Sequence, residues 1–162
     1  AVAYPVTKGA TPEIWKPSGS KPNQAWPWMV EHTDRLPAGA DAVCIVSGTR
    51  NIQADVLEYL NANGGGDWPA IHVRGPSANG SNTIFGADHA YALAQEIREV
   101  LLALARRWRP SLRRLHLFIC APNGFTFFLG QQSMAWNLYE VQAYEYHRTH
   151  RTYSPSITFS VD

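Results

Sequence analysis

Apolar residues along this chain gather in short unbroken runs separated by small polar turns. Asp41-Ala-Val-Cys-Ile-Val46, Trp68-Pro-Ala-Ile-His-Val-Arg74 and Leu115-His-Leu-Phe-Ile-Cys120 each hold aliphatic and β-branched or aromatic residues at consecutive positions. Strands covered on both faces read this way, whereas a half-exposed strand alternates. Between the first two runs, Ile52, Val56, Leu57 and Leu60 recur at helical spacing. They predict a helix over Ile52–Asn61, with Asn51 as N-cap and Gly64-Gly-Gly66 as its stop. Between the second and third, Tyr91, Ala94, Ile97, Leu101, Leu104 and Ala105 trace the stripe of a long helix from Ala87 to Trp108. Arg106, Arg107 and Arg109 suit its carboxyl end, and Pro110 closes it.

Beyond Cys120, Ala121-Pro-Asn-Gly124 breaks the run. Phe125 to Leu129 resumes an apolar face as a short helix that Gly130 is expected to stop. Trp136 to Tyr146 alternates like a strand with one wetter face, and Tyr153 to Phe159 reads as an edge strand that tolerates Pro155. The order β-α-β-α-β-(α)-β-β predicts a three-layer, Rossmann-like α/β fold around a mostly parallel sheet, with its core over residues 41–162.

Residues 1–40 show no sustained period and hold Pro5, Pro12, Pro17, Pro22, Pro27 and Pro37. Val2 to Val6 is a candidate edge strand; the remainder reads as a turn-rich arm. Trp15, Trp26, Trp28 and Met29 lie within it, more aromatic character than a disordered linker carries. The arm is therefore expected to pack on the core. Its tryptophans either seal a core edge or, flanked by Lys16 and Lys21, form a stacking platform for a base.

Composition narrows the possibilities. A chain of 162 residues with 45% hydrophobic and 17% charged residues has the length and make-up of one globular domain with a short arm. The formal net charge of +1 argues against a protein that coats nucleic acid, though a local basic pocket is compatible with it. Cys44 and Cys120 both fall in apolar runs and read as small buried hydrophobes in a reducing cytoplasm. No apolar stretch approaches the ~20 residues needed to span a bilayer. The N-terminus has no basic segment leading into an apolar one, and with no initiator Met the chain reads as part of a longer protein.

Motifs for catalysis or metal binding are not found. There is no Gly-x-Gly-x-x-Gly and no Walker-type Gly-Lys-Ser/Thr, and the histidines share no ligand spacing with a Cys pair. His116 lies four residues from Cys120 on one strand, ~13 Å away, too far to serve it as a base. Neither a catalytic set nor a metal or cofactor site is expected. What the order of elements does imply is a ligand edge, because open α/β sheets bind beyond the carboxyl ends of their strands. Three small polar loops fall there: Ser47-Gly-Thr-Arg50, Gly75 to Asn82, and Ala121-Pro-Asn-Gly124. Ser47, Gly48, Thr49 and Asn123 are candidate hydrogen-bond donors. Arg50, Lys16 and Arg74 are candidate cations, and Pro122, Phe125, Trp26 and Trp28 candidate stacking surfaces. Small polar residues are also what plain βα turns need.

Leu115-His-Leu-Phe-Ile-Cys-Ala-Pro122, Phe128-Leu-Gly130, Leu138-Tyr-Glu140 with Tyr144 and Tyr146, and Tyr153-Ser-Pro-Ser156 stand in an order and spacing that resemble the C-terminal core of SAVED domains. The helix Ala87 to Trp108 fits as well, so the resemblance covers roughly residues 41–160. SAVED domains are the CARF-like sensors of bacterial anti-phage systems, CBASS and some CRISPR effectors. The resemblance implies a fold of two CARF-like halves, the first short or irregular here, and a cyclic oligonucleotide as ligand. It implies an effector (nuclease, TIR or protease) attached N-terminally, and self-association on binding. It places Ala121-Pro-Asn123 at the ligand; the roles of Lys16 and the tryptophans rest on the residues alone. A small α/β enzyme acting on a nucleotide or sugar phosphate is the alternative reading.

Overall fold

In a computed structural model of the chain, residues 2–4, 13–15, 29–32, 40–75, 84, 86–108, 112–136 and 140–160 are described. Their elements run β1 (Val2–Tyr4), β2 (Glu13–Trp15), β3 (Met29–His32), β4 (Ala40–Ser47), α1 (Gln53–Ala62), β5 (Ala70–Arg74), α2 (Ala87–Trp108), β6 (Leu112–Cys120), α3 (Asn123–Gln132), a 3-10 turn (Ser133–Ala135), β7 (Glu140–His147) and β8 (Thr152–Ser160). A six-stranded sheet has the order β3-β5-β4-β6-β7-β8. The inner four strands are mutually parallel, and β3 and β8 close the two edges antiparallel.

The unbroken apolar runs have the cause inferred for them. Along β4, Ala42, Cys44 and Val46 face one core with Ile71 and Val73 of β5, Leu115 and Leu117 of β6, Ala90, Ala94, Ile97 and Leu101 of α2, and Phe125, Phe128 and Leu129 of α3. Val43 and Ile45 face a second core with Ile52, Val56, Leu60, Phe118 and Tyr153. The sheet thus lies between α2 with α3 on one side and α1 on the other. Each large apolar side chain buried this way is worth ~1.5–3 kcal/mol, so β4 and β6, loaded on both faces, are the strands that hold the layers together.

Several expectations are corrected. The first 40 residues are not irregular throughout. β1 and β2 form a separate antiparallel pair, and β3 joins the main sheet beside β5. Leu57 is exposed, off the buried stripe of α1, which is carried by Val56 and Leu60. Gly130 does not end α3, which continues to Gln132; a Cβ there would meet nothing within 4 Å, and the stop comes where the Ser133 hydroxyl donates to the Gly130 carbonyl. Trp136 belongs to no strand; it is fully buried against the α2–α3 core, and β7 starts at Glu140. Leu104, Ala105 and the loop over residues 76–83 lie outside the described side chains.

The glycine stop of α1 follows the sequence, but its start is shifted: Ile52, not Asn51, is the N-cap of a helix over Gln53–Ala62 and has no side-chain cap, and Asn51 serves from one residue earlier. Asn51 Oδ1 accepts from the Gln53 amide at 3.0 Å. Gly64 has φ 79°, a left-handed turn that glycine adopts without Cβ strain, and the Gly65 amide returns to the Leu60 carbonyl at 2.8 Å.

Candidate functional site

Parallel pairing brings the carboxyl ends of β4, β5, β6 and β7 to one edge, with Ser47 beside Arg74 and beside Cys120. Two of the three loops expected at the ligand meet there. The amides of Gly48 and Thr49 both donate to the Cys120 carbonyl, at 2.8 and 3.0 Å, and the Thr49 hydroxyl reaches the same oxygen at 3.3 Å. A Cβ on Gly48 would stand 3.0 Å from Ala121 Cβ, 3.2 Å from the Cys120 carbonyl oxygen and 3.4 Å from Ile84 Cδ1. Glycine is therefore what lets the β4 loop close on the β6 loop.

This closure redistributes the roles expected of single residues. The Gly48 and Thr49 amides are engaged with Cys120, so they hold the site together and do not present themselves to a ligand. Ser47 is fully buried; its Oγ lies 2.9 Å from His72 Nε2 and accepts from the Ile52 amide at 3.2 Å. It braces the start of α1 and offers nothing outward. Phe125 is fully buried among the α2–α3 core residues, which removes it as a stacking surface. Its spacing to Phe128 and Leu129 is the sequence signal of that fate, while Phe127, off the stripe, is exposed.

Ala121 and Pro122 are half-buried, and Asn123 is exposed at the first turn of α3. Pro122 stands at the N-cap, where no side chain caps the helix, and the helical bonding starts with the Thr126 amide on the Pro122 carbonyl at 3.1 Å. The amides of a first helical turn have no intrahelical acceptor and carry the positive end of the helix dipole. An anion is favoured at such a terminus. Arg74 ends β5, half-buried, next to Ser47. Lys16, Trp26 and Trp28 lie outside the described residues.

Arg50 is the exposed cation of the β4 loop. Its Nη2 lies 2.7 Å from Asp55 Oδ2, and its Cζ stands 5.8 Å from the centroid of the Tyr146 ring. Both partners line a cleft of about 440 Å³ between α1 and the β7–β8 hairpin, shared with Glu58, Tyr59, Arg151 and Thr152. No local pattern in the chain announces this cleft, because it needs the hairpin to lie over α1. Cys120, expected to be buried, is half-buried, with its Sγ 3.4 Å from the Thr49 hydroxyl; Cys44 is fully buried, and burial pushes its thiol up to about 12.

A second polar cluster, also unforeseen, sits toward the amino end of the sheet on the α1 side. His116 Nε2 is 3.0 Å from Asp41 Oδ2, and His116 Nδ1 is 2.8 Å from the Tyr144 hydroxyl. The Arg113 guanidinium holds both Asp41 oxygens, at 2.8 and 3.0 Å, Arg114 pairs with Glu140, and Trp68 stacks on the imidazole at 4.2 Å. Burial works against the Asp41 charge, but the bonds from Arg113 and His116 outweigh it and hold the carboxyl below its usual range. As a carboxylate Asp41 can only accept, so the proton of His116 is on Nε2, and Nδ1 accepts from Tyr144. Burial lowers the His116 pKa despite Asp41, and burial first, then Tyr59, pushes the Tyr144 hydroxyl up to about 12. Every member is satisfied in its resting form, and a phenol so reluctant to ionise is no nucleophile at neutral pH. The cluster ties β4, β6 and β7 together.

The domain is a three-layer α/β fold whose apposed carboxyl-end loops carry an uncapped helix terminus and an exposed arginine. The sequence matches the SAVED family, the SMODS-associated and fused to various effectors sensor domain, over residues 2–159, and the chain belongs to that family. It is 29% identical over 120 residues to CD-NTase-associated protein 4 of Enterobacter hormaechei subsp. hoffmannii (strain UCI 50), an alignment covering 74% of this chain and 23% of that protein. Its fold is similar to that of the Acinetobacter baumannii Cap4 SAVED/CARF-domain containing receptor. The TM-score is 0.67 against the complex with the cyclic trinucleotide 3′3′3′-cAAA and 0.66 against that with 2′3′3′-cAAA. Each comparison has 19% sequence identity and covers 86% of this chain and 29% of the receptor. The chain thus spans under a third of the length of these relatives. The match from residue 2 extends the resemblance through the arm that contributes β3. Among the described residues, no helix is long and apolar enough to cross a membrane.

Proposed function

We propose that this domain binds a cyclic oligonucleotide at the carboxyl edge formed by the β4 and β6 loops, and that binding drives self-association that activates a fused effector (nuclease, TIR or protease) in cytoplasmic anti-phage defence. The observation that carries the reading is the apposition of Gly48 and Thr49 on the Cys120 carbonyl. It sets Arg50 and the open amino terminus of α3 on one edge, a cation and a dipole for phosphate beside the small surface of Ala121 and Pro122. Cap4 receptors of the same fold are described with cyclic triadenylates, and the family is a sensor by its description. A cyclic oligonucleotide has more phosphate–base faces than one shallow edge covers. A second copy packing on the exposed remainder gains affinity from the composite surface, and a head-to-tail contact of that kind can grow into stacks.

The test is thermal unfolding with 3′3′3′-cAAA and 2′3′3′-cAAA, then with cyclic di- and tetranucleotides. Ligand at about 100 times Kd contributes ~2.7 kcal/mol, a rise of roughly 5–11 °C for a domain of this size. The ligand is to be recovered intact, since turnover would indicate a small α/β enzyme acting on a nucleotide or sugar phosphate. Light scattering with and without the stabilising nucleotide is expected to show mass rising with ligand. No shift with any of these nucleotides would overturn the binding reading, and tight binding at constant mass would overturn the assembly step.

A further inference from the structure

We infer that Asp55 is a positioning residue that holds Arg50 in reserve and thereby sets the affinity of the carboxyl edge for a phosphodiester. This rests on the proposed reading that Arg50 meets a ligand phosphate. The guanidinium is drawn toward α1 and the hairpin, hydrogen-bonded to Asp55 through Nη2 at 2.7 Å and lying 5.8 Å from the Tyr146 ring centroid. The side chains of the pair are 55% and 40% exposed, so water competes for both. Exposed pairs of this kind are weak, and a guanidinium gains more from a phosphate, which it can grip with two parallel N–H bonds. Asp55 also lies in the first turn of α1, where the helix dipole stabilises a carboxylate whether or not an arginine is attached. Arg50 can therefore transfer to an arriving phosphate without stranding Asp55. The transfer is opposed by the small pairing term, alongside the Tyr146 contact, and the pairing term lowers the apparent affinity.

Four proteins are titrated calorimetrically with 3′3′3′-cAAA: wild type, Asp55→Asn, Arg50→Ala and the double variant. Asn keeps the size of the side chain and removes the charge that holds the guanidinium, leaving only a neutral acceptor. Asp55→Asn is expected to tighten binding by about 1.5- to fivefold, the range of an exposed ion pair. Arg50→Ala is expected to weaken it roughly ten- to hundredfold and to flatten its salt dependence. In the Arg50→Ala background, Asp55→Asn is expected to change nothing, because its effect passes through the arginine. An equal gain in both backgrounds would mean that Asp55 merely repels the ligand, and would overturn the inference. A loss or no change with Asp55→Asn alone would overturn it too, while leaving the binding edge standing. Arg50→Ala binding as tightly as wild type would remove Arg50 from the site, and wild type that binds no cyclic nucleotide would fail the proposed function itself.

Discussion

Replacing Asp41 by Asn tests whether the Asp41–His116–Tyr144 cluster is a tie between strands. Asn has the same shape, so no cavity forms, but it loses the charge that both Arg113 and His116 address. The Arg113 side chain is 69% exposed and its pairing is screened by water, so that arm contributes little. The His116 arm is buried on both sides, with each side chain 4% exposed. Losing a charged acceptor there costs about 1.5–3 kcal/mol. At roughly 2–4 °C per kcal/mol for a domain of this size, Tm is expected to fall by about 3–12 °C at pH 7.5. The pH dependence has a definite sign. His116 has a folded pKa below its unfolded value, so its neutral form contributes stability that is complete above about pH 6.5 and is lost as pH falls through that value toward the folded pKa. Asp41 is also lowered, and its contribution is lost only in the acid range below about pH 4. Asp41 is the partner that raises the His116 pKa, so in Asp41→Asn the imidazole resists protonation more strongly. The variant is therefore expected to lose more stability than wild type between pH 7.5 and 5.5. Thermal unfolding followed by circular dichroism at pH 7.5, 6.5 and 5.5 measures both. A variant within about 1 °C of wild type, or one whose deficit shrinks on acidification, would refute the cluster as a buried tie.

Three further outcomes are expected. Ala121→Trp blocks cyclic trinucleotide binding while lowering Tm only modestly, because Ala121 is half-buried in the turn; global unfolding by circular dichroism would instead make the turn core. Phe125→Ala costs ~3–5 kcal/mol in urea unfolding, as for a fully buried ring, and a loss under 1 kcal/mol would contradict its place in the core. Iodoacetamide followed by peptide mass mapping labels half-buried Cys120 well before Cys44, whose thiol is fully buried and pushed up to about 12; equal rates would refute that ordering.

The sequence made the centre of the fold legible and its margins opaque. β4 and β6 could be read because both faces are buried and their apolar runs are continuous. α2 could be read because its stripe holds over many turns. β3 could not, because Met-Val-Glu-His is four residues long and becomes a strand only by pairing with β5, a contact no local pattern encodes. At the site, the three-loop edge followed from strand order, and the structure joins two of those loops. Which groups would face outward did not follow. Ser47 and Phe125 are a small polar residue and an aromatic beside a turn, and whether each points into the core depends on strand parity and helical phase. The Asp41–His116–Tyr144 grouping joins residues far apart in the chain, and Tyr146 reaches the Arg50–Asp55 pair only through the fold, so spacing alone carries no trace of either.

The single carbonyl of Cys120, accepting from two amides and approached by a hydroxyl, has a bearing on the binding proposed for this edge. Loops tied this way have surrendered their conformational entropy during folding. On the proposed reading, a ligand settling on Ala121–Asn123 would pay little to order the surface beneath it, and discrimination among ring sizes and linkages would fall to fit against a fixed outline. Relaxing that outline, as a side chain forced in at Gly48 would do, is expected to blur selectivity before it abolishes binding.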